Sequence, residues 1–193
     1  MSVAALVLAA GRGSRFGEAP KLLAELDGRP LVRHVADAAL ASRASPVLAV
    51  TGHRADAIGA ALDDLPVRLL HNPAYSDGLS TSLRAGFAAL AAEAEAVVVL
   101  LADMPRVTPA LIDGLIEAWE GAGRPVAAVP VADGRRGNPV LLSATLAPAI
   151  ARLTGDHGAG PLLRGLEGVL EVPVAGEGVL LDIDTPDALR ALG

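Results

Sequence analysis

No cysteine occurs in the 193 residues, which excludes a disulfide framework and thiolate metal ligands. Aromatic side chains make up only 2% of the sequence, too few for a platform that stacks single-stranded bases. A formal net charge of −6 argues against the basic face that a phosphate backbone requires, so nucleic acid is not an expected partner. No stretch approaches the roughly 20 apolar residues that span a bilayer. Met1-Ser2-Val3 runs straight into a strand-like segment without the basic start of a secretion signal. No membrane association is expected, the cytoplasm is the expected location, and a monomer is the expected state.

Lysine is nearly absent too. Of 16 basic residues, 15 are arginine and one, Lys21, is lysine. A coding bias explains the fifteen and leaves the exception unexplained. Lysine offers a compact ammonium on a flexible stem where arginine offers a planar fork, so a site that needs the former resists replacement. Lysine's use as a phosphate binder makes Lys21 a functional candidate.

What is present alternates between strand and helix patterns. Val3 to Leu8 is an apolar run that reads as a buried parallel strand, followed by a Gly-rich loop from Ala9 to Lys21. Pro30 opens a helix with Leu31, Val35 and Ala39 on one face. Strands are expected at 47–51 and 67–71, with a helix at 55–62 between them and another over 78–92. Ala96 to Leu101 is the clearest buried strand, and Thr108-Pro109 starts a helix carrying Leu111, Ile112, Leu115, Ile116 and Trp119. Strands at 126–131 and 138–142, a helix from Ser143 to Leu153, a helix near 161–166, short strands at 169–172 and 179–181, and a helix after Thr185-Pro186 complete the reading. The alternation implies βαβ units and one α/β domain spanning 1–193, three layers around a mostly parallel sheet. Such sheets bind ligands beyond the C-terminal ends of their strands, so the loops there matter most.

Three of those loops carry chemistry. In Leu8-Ala9-Ala10-Gly11-Arg12-Gly13-Ser14-Arg15-Phe16-Gly17, glycines let backbone N–H groups approach a phosphate, and Arg12, Arg15 and Lys21 add positive charge. The third glycine comes one residue too late for a dinucleotide fingerprint, and a Walker A motif is absent. The plainer alternative is a tight turn with solvated arginines. Asp103, in Ala102-Asp103-Met104-Pro105 at the end of the strongest strand, is placed to hold Mg²⁺ between phosphates, or merely caps a turn. Asp182 and Asp184, two apart in an expected strand, share a face and could meet one cation, unless one of them completes the turn that Thr185 caps. Arg135 and Arg136, in a glycine-flanked turn, could clamp a phosphate or lie solvated at a hairpin tip. The four histidines show no metal-ligand spacing, and Ser80 and Ser82 read better as helix caps than as nucleophiles.

Together LAAGRGSRFG…PKLL, NPAYSDGLSTSLRAG, LADMP, GRRGNPVLLS, GDHGAGPLL and DIDTPDAL occur in an order that resembles the molybdenum cofactor cytidylyltransferases and related NTP-transferase-like proteins. The resemblance spans nearly the whole chain. It implies a Rossmann-like nucleotidyltransferase fold, transfer of CMP or GMP to the terminal phosphate of molybdopterin, Mg²⁺ as cofactor, and a molybdenum enzyme as a possible recipient of the product. Leu8-Ala9-Ala10-Gly11, rather than Leu-Ala-Gly-Gly, points to CTP. By the same resemblance Leu8, Ala9, Ala10 and Gly11 meet the nucleotide, and Gly13, Ser14, Arg15 and Lys21 hold its phosphates. Gly78 and Ser80 lie near base and ribose, and Asp103 and Asp184 are the metal ligands. Arg136, Gly137, Asn138, Asp156 and Gly158 line the acceptor pocket. Lys21, Arg15 and Asp103 are the implied catalytic residues. The chain departs from many relatives at Ala102, where they carry glycine, and at Gly160, where they carry a basic residue.

Overall fold

The computed structural model describes residues 2–16 and 20–192, leaving aside the side chains of Arg15 and Glu177. In chain order the regular elements are β1 (Val3–Ala9), β2 (Glu25–Leu26), β3 (Arg29–Pro30), α1 (Leu31–Leu40), β4 (Val47–Thr51), α2 (Ala55–Ala60), β5 (Arg68–His71) and α3 (Leu79–Ala91). There follow β6 (Ala96–Leu101), α4 (Pro109–Gly121), β7 (Ala127–Ala132), β8 (Arg135–Arg136), β9 (Val140–Ser143), α5 (Ala147–Ile150), α6 (Gly160–Arg164), β10 (Val169–Pro173) and α7 (Pro186–Arg190).

The main sheet has the order β10-β7-β9-β6-β1-β4-β5, with β8 paired to β7. β1 pairs in parallel with both β4 and β6, β4 with β5, and β10 with β7. Only β9 and β8 run antiparallel to their neighbours. β1 lies at the centre of this mostly parallel sheet, and its burial is complete because both of its faces are covered. Val3, Ala5, Val7 and Ala9 pack into a core with α1 and α4, through Val35, Ile112, Ile116 and Trp119. Ala4, Leu6, Leu8 and Ala10 pack into a second core with α3, through Leu83, Phe87 and Leu90. These are the three layers the alternation implied. An unbroken apolar strand, rather than an alternating one, is what burial between two helix layers requires.

Small residues set the layer spacing. A Cβ on Gly86 of α3 would run into Leu6 and come within 2.7 Å of Val50, so glycine lets α3 lie close on β1 and β4. Among the described residues no helix is long and apolar enough to cross a membrane.

Three elements differ from the expectation. Residues 179–181 form no strand; a 3-10 turn, Glu177–Val179, leads into irregular backbone there. The reason is a different partner: the Val179 carbonyl accepts from Asn138 N–H at 2.8 Å, which draws the segment across the end of the sheet. The helix expected from Ser143 to Leu153 opens as a 3-10 turn capped by Ser143 and is α-helical only over Ala147–Ile150. The short β2–β3 hairpin was not foreseen, although Asp27-Gly28, both at positive φ, is a strong two-residue turn signal.

Candidate active site

The register of β1 against β6 builds the site. Leu8 lies opposite Leu101, so the Gly-rich loop and Asp103 leave the sheet side by side, and Ala102 N–H donates to Leu8 carbonyl at 3.2 Å. The chain's end is stitched to the same place: Ile183 N–H donates to the Asp103 carbonyl at 2.9 Å. Lys21, at the start of a 3-10 turn (Lys21–Leu23), returns beneath the loop. A Cβ on Gly13, at φ +59°, would come within 2.7 Å of Lys21 Cβ, so glycine lets the loop wrap the lysine stem.

Lys21 Nζ donates to Asp103 Oδ2 at 2.7 Å and to Asp184 Oδ1 at 2.8 Å. Its side chain is 8% exposed, against 22% and 27% for the two aspartates. Burial alone would push the lysine pKa down; the adjacent Asp103 charge and the hydrogen bonds to both carboxylates outweigh it and hold it above its ordinary value. Lys21 is therefore an ammonium at neutral pH.

Oxygens of Asp103, Asp182 and Asp184 lie within 4.8 Å of one another. Asp182 and Asp184 converge here without the strand expected of them. Asp103 Oδ1 is buried and has no hydrogen-bond partner among the described residues. A buried carboxylate oxygen with no donor, beside two further carboxylates, fits a hard divalent cation. Asp103, Asp184 and Asp182 are the residues that could hold one.

Lys21, Asp103 and Asp184 line a cavity of about 680 Å³. The loop from Ala10 to Ser14 forms one wall, and Tyr75 to Leu79 with Ser82 form the other. Arg12 lies over the Tyr75 ring at 5.7 Å and joins the two walls. Four carboxylates (Asp77, Asp103, Asp156, Asp184) face the cavity against Arg12 and Lys21 among the described side chains. A divalent cation on these carboxylates would offset the net negative charge of the lining.

The expected residues divide between this cavity and a second one. Ala10, Gly11, Gly13, Ser14, Lys21, Gly78 and Asp103 line the first. Ala9 is fully buried in β1, and the Arg15 side chain lies outside the described part of the structure. Ser80 is fully buried with no partner for its Oγ among the described residues; Ser82 lines the cavity instead, its Oγ accepting from buried Asn72 Nδ2 at 2.9 Å. Asp156, expected with the acceptor residues, is on the wall of the first cavity, where its Oδ1 accepts Leu79 N–H at 3.1 Å. Free first-turn N–H groups at a helix start draw a carboxylate there.

The second cavity, about 560 Å³, takes in Arg136, Gly137, Asn138 and Gly158. Leu8 also lines it, because alternation along β1 turns its side chain to the α3 face. Arg136 Nε donates to Glu171 at 2.8 Å and its Nη1 to the Leu163 carbonyl at 3.2 Å. The two cavities meet at Leu79. Sequence reasoning missed Tyr75, Asp77, Ser82 and Arg164; for Tyr75, its scarcity in a chain of one tyrosine was the available signal.

Comparison with known proteins identifies relatives of the chain. The chain is 32% identical over 196 residues to the nicotine blue oxidoreductase of Paenarthrobacter nicotinovorans, covering 98% of this chain and 96% of that protein. It is 40% identical over 126 residues to the bifunctional protein GlmU of Sorangium cellulosum, covering 62% of this chain and 26% of that one, so it spans about a quarter of the length of that relative. The crystal structure of Rv0371c from Mycobacterium tuberculosis in complex with manganese superposes with a TM-score of 0.85 at 28% identity, covering 100% of this chain and 98% of that one. Residues 5–170 match the MobA-like NTP transferase domain. With most of its length inside that domain, the chain belongs to the MobA-like NTP transferase family, a family of nucleotidyltransferase enzymes.

Proposed function

We propose that the protein transfers CMP from CTP to the terminal phosphate of molybdopterin, with Mg²⁺ as cofactor and pyrophosphate as the second product. One observation carries the transfer chemistry: a buried ammonium bridging two carboxylates in a cavity that a Gly-rich loop also lines. The choice of CTP rests on Leu8-Ala9-Ala10-Gly11, and the choice of molybdopterin rests on the resemblance.

The reaction is an in-line displacement. An oxygen of the acceptor phosphate attacks the α-phosphorus of CTP, the bond from that phosphorus to the bridging oxygen of the β-phosphate breaks, and pyrophosphate leaves with its electron pair. The attacking group is already an anion, so the protein needs no nucleophile and no strong base. Backbone N–H groups of Gly11 to Ser14 cradle the phosphates, while Arg15 and Lys21 steady the departing pyrophosphate. Asp103 and Asp184 would hold Mg²⁺, which when bound would supply positive charge beside the reacting phosphates. Gly78, on the cavity wall at the start of α3, lies near the base and ribose on this reading. Arg136, Gly137, Asn138 and Gly158 receive the acceptor.

The test is pyrophosphate release with Mg²⁺, each nucleoside triphosphate in turn, and molybdopterin, sugar phosphate, alditol phosphate or phospholactate acceptors. CTP with molybdopterin is expected to give the fastest release. Preference for GTP overturns the base assignment, preference for another acceptor overturns molybdopterin, and no release with any pair overturns the transfer reading.

A second reading is favoured by one observation, the full-length likeness to an oxidoreductase. It predicts binding of NADH or NADPH in a fluorescence titration, which the late third glycine of the first loop disfavours.

A further inference from the structure

Two roles meet on the same atoms in the first cavity. Asp103 and Asp184 are the carboxylates that would hold a divalent cation, and Lys21 is the ammonium that would meet phosphate. The lysine already spans the pair, with Nζ donating to Asp103 Oδ2 at 2.7 Å and to Asp184 Oδ1 at 2.8 Å. Two of its three N–H donors are committed there, one to each carboxylate. Mg²⁺ draws carboxylate oxygens to about 2.1 Å and demands near-octahedral geometry. A cation chelated by both aspartates therefore needs the space in which the ammonium lies. The lysine side chain is buried, so little water screens one positive centre from the other.

The lysine can yield that space only at its tip. The Gly-rich loop covers its stem: the place of a Cβ on Gly13 is 2.7 Å from Lys21 Cβ and 3.2 Å from Cδ. Rotation about the last bonds moves Cε and Nζ and leaves the rest fixed. A cation also has points of attachment that the ammonium does not use. Asp103 Oδ1 is buried with no hydrogen-bond partner among the described residues, and exposed Asp182 forms no ion pair with Lys21 among them. Asp182 nonetheless belongs to the same group, its ligand oxygen within 4.8 Å of those of Asp103 and Asp184. Attachment there first and release of the ammonium second is an exchange in which the carboxylates are never left without a cation. The residue type suits such an exchange. A guanidinium fork can hold a carboxylate through two parallel bonds, whereas an ammonium binds it as a point charge and is more readily replaced. A chain with 15 arginines keeps its one lysine at this position.

We propose that Lys21 is a place-holder for the metal: its ammonium keeps Asp103 and Asp184 together as ligands, and a divalent cation displaces it from both oxygens. Lysine and metal are then alternatives on Asp103 Oδ2 and Asp184 Oδ1. The ammonium spares the two carboxylates the mutual repulsion that would spread them, so the ligands are in place before the metal arrives. That the freed ammonium goes on to meet the departing pyrophosphate rests on the transfer reading above. The exchange itself rests on the geometry of three side chains.

The only lysine of the chain is its own reporter. In the full chain, lysine enriched with heavy nitrogen at Nζ gives a single ammonium signal by NMR. Without divalent cation, its two hydrogen bonds are expected to slow proton exchange enough for the ammonium protons to be resolved. Mg²⁺ is expected to abolish that protection, at the same midpoint as Mg²⁺ binding measured by calorimetry. Lys21→Met is expected to bind Mn²⁺, followed by electron paramagnetic resonance, about tenfold or more tightly than the parent. A thermal melt near that of the parent shows the variant to be folded; if it is not, the NMR titration of the parent decides alone. The proposal is overturned if the ammonium is unprotected before Mg²⁺ is added, or stays protected at saturating Mg²⁺, which would make lysine and metal joint occupants. It is overturned equally if folded Lys21→Met binds Mn²⁺ no better than the parent, or if neither protein binds a divalent cation. Both measurements use the metal alone, and pyrophosphate assays on the same samples separate the two claims. Exchange without release from any nucleotide sinks the transfer reading alone, and release with the ammonium still protected under Mg²⁺ sinks this one alone.

Discussion

The two cavities share Leu79 and little else. The first is made from loops beyond parallel strands, crowded with charge, and organised by an ammonium between two aspartates. The second is made from strand faces and the helices α3 and α6, and among its described residues the charge is all of one sign and mostly unpaired. On the proposed reading, the contrast teaches how one end of a sheet handles two reactants. Where charge develops during reaction, preorganised ions must already be in place; where a substrate is merely held, shape and exclusion of water are enough.

Substitutions can break this contrast. The largest effect is expected from Asp103→Asn, which removes a metal-ligand charge while Lys21 keeps Asp184: pyrophosphate release should fall on the order of 1,000-fold, with a melting temperature within a few degrees of the parent. Activity within tenfold of the parent would show that the polar cavity is not where phosphate reacts. Lys21→Met should lower release about 100-fold, and Lys21→Arg should fail to restore it, because a planar guanidinium does not reproduce the compact ammonium held between Asp103 Oδ2 and Asp184 Oδ1. Full rescue by arginine would reduce Lys21 to a generic positive charge.

Two smaller effects sharpen the comparison. Gly78→Ala puts a Cβ into the Gly155 carbonyl at φ +113°, at the seam between the cavities, and should destabilise by roughly 1–3 kcal/mol, read as a drop of several degrees in thermal melting. The smallest effect concerns pH. The folded pKa of Lys21 is raised, so the stability it contributes is fully present below the unfolded value near 10.5 and is lost only as pH rises through the still higher folded value. The difference in melting temperature between the parent and Lys21→Met should therefore stay constant from about pH 7 to 9. A difference that collapses within that window would contradict the pairing.

Much of the fold could be read in advance because burial on both faces leaves an unmistakable mark: Val3–Leu8 and Ala96–Leu101 had no polar interruption to confuse the period. Lys21 stood out by rarity, and the geometry gives that rarity a physical sense, a compact head between two carboxylates. Other positions were illegible for equally physical reasons. Asp182 and Asp184 were assigned to one strand face; they converge because Ile183 is bonded to Asp103 across the sheet end, a long-range contact that spacing does not encode. Nothing local tells Ser80 to turn inward while Ser82 faces the cavity, or binds Asp156 to the start of α3. Arg164 escaped notice because α6 has five residues, too few for a periodic face.

The bond from Lys21 to Asp184 joins residues 163 positions apart. During synthesis, then, the nascent chain can assemble its sheet, both helical layers and most of the second pocket while still lacking a finished reaction centre. The pairing of Lys21 with Asp184 is completed only when residues 182–184 emerge, long after the loop that holds the lysine.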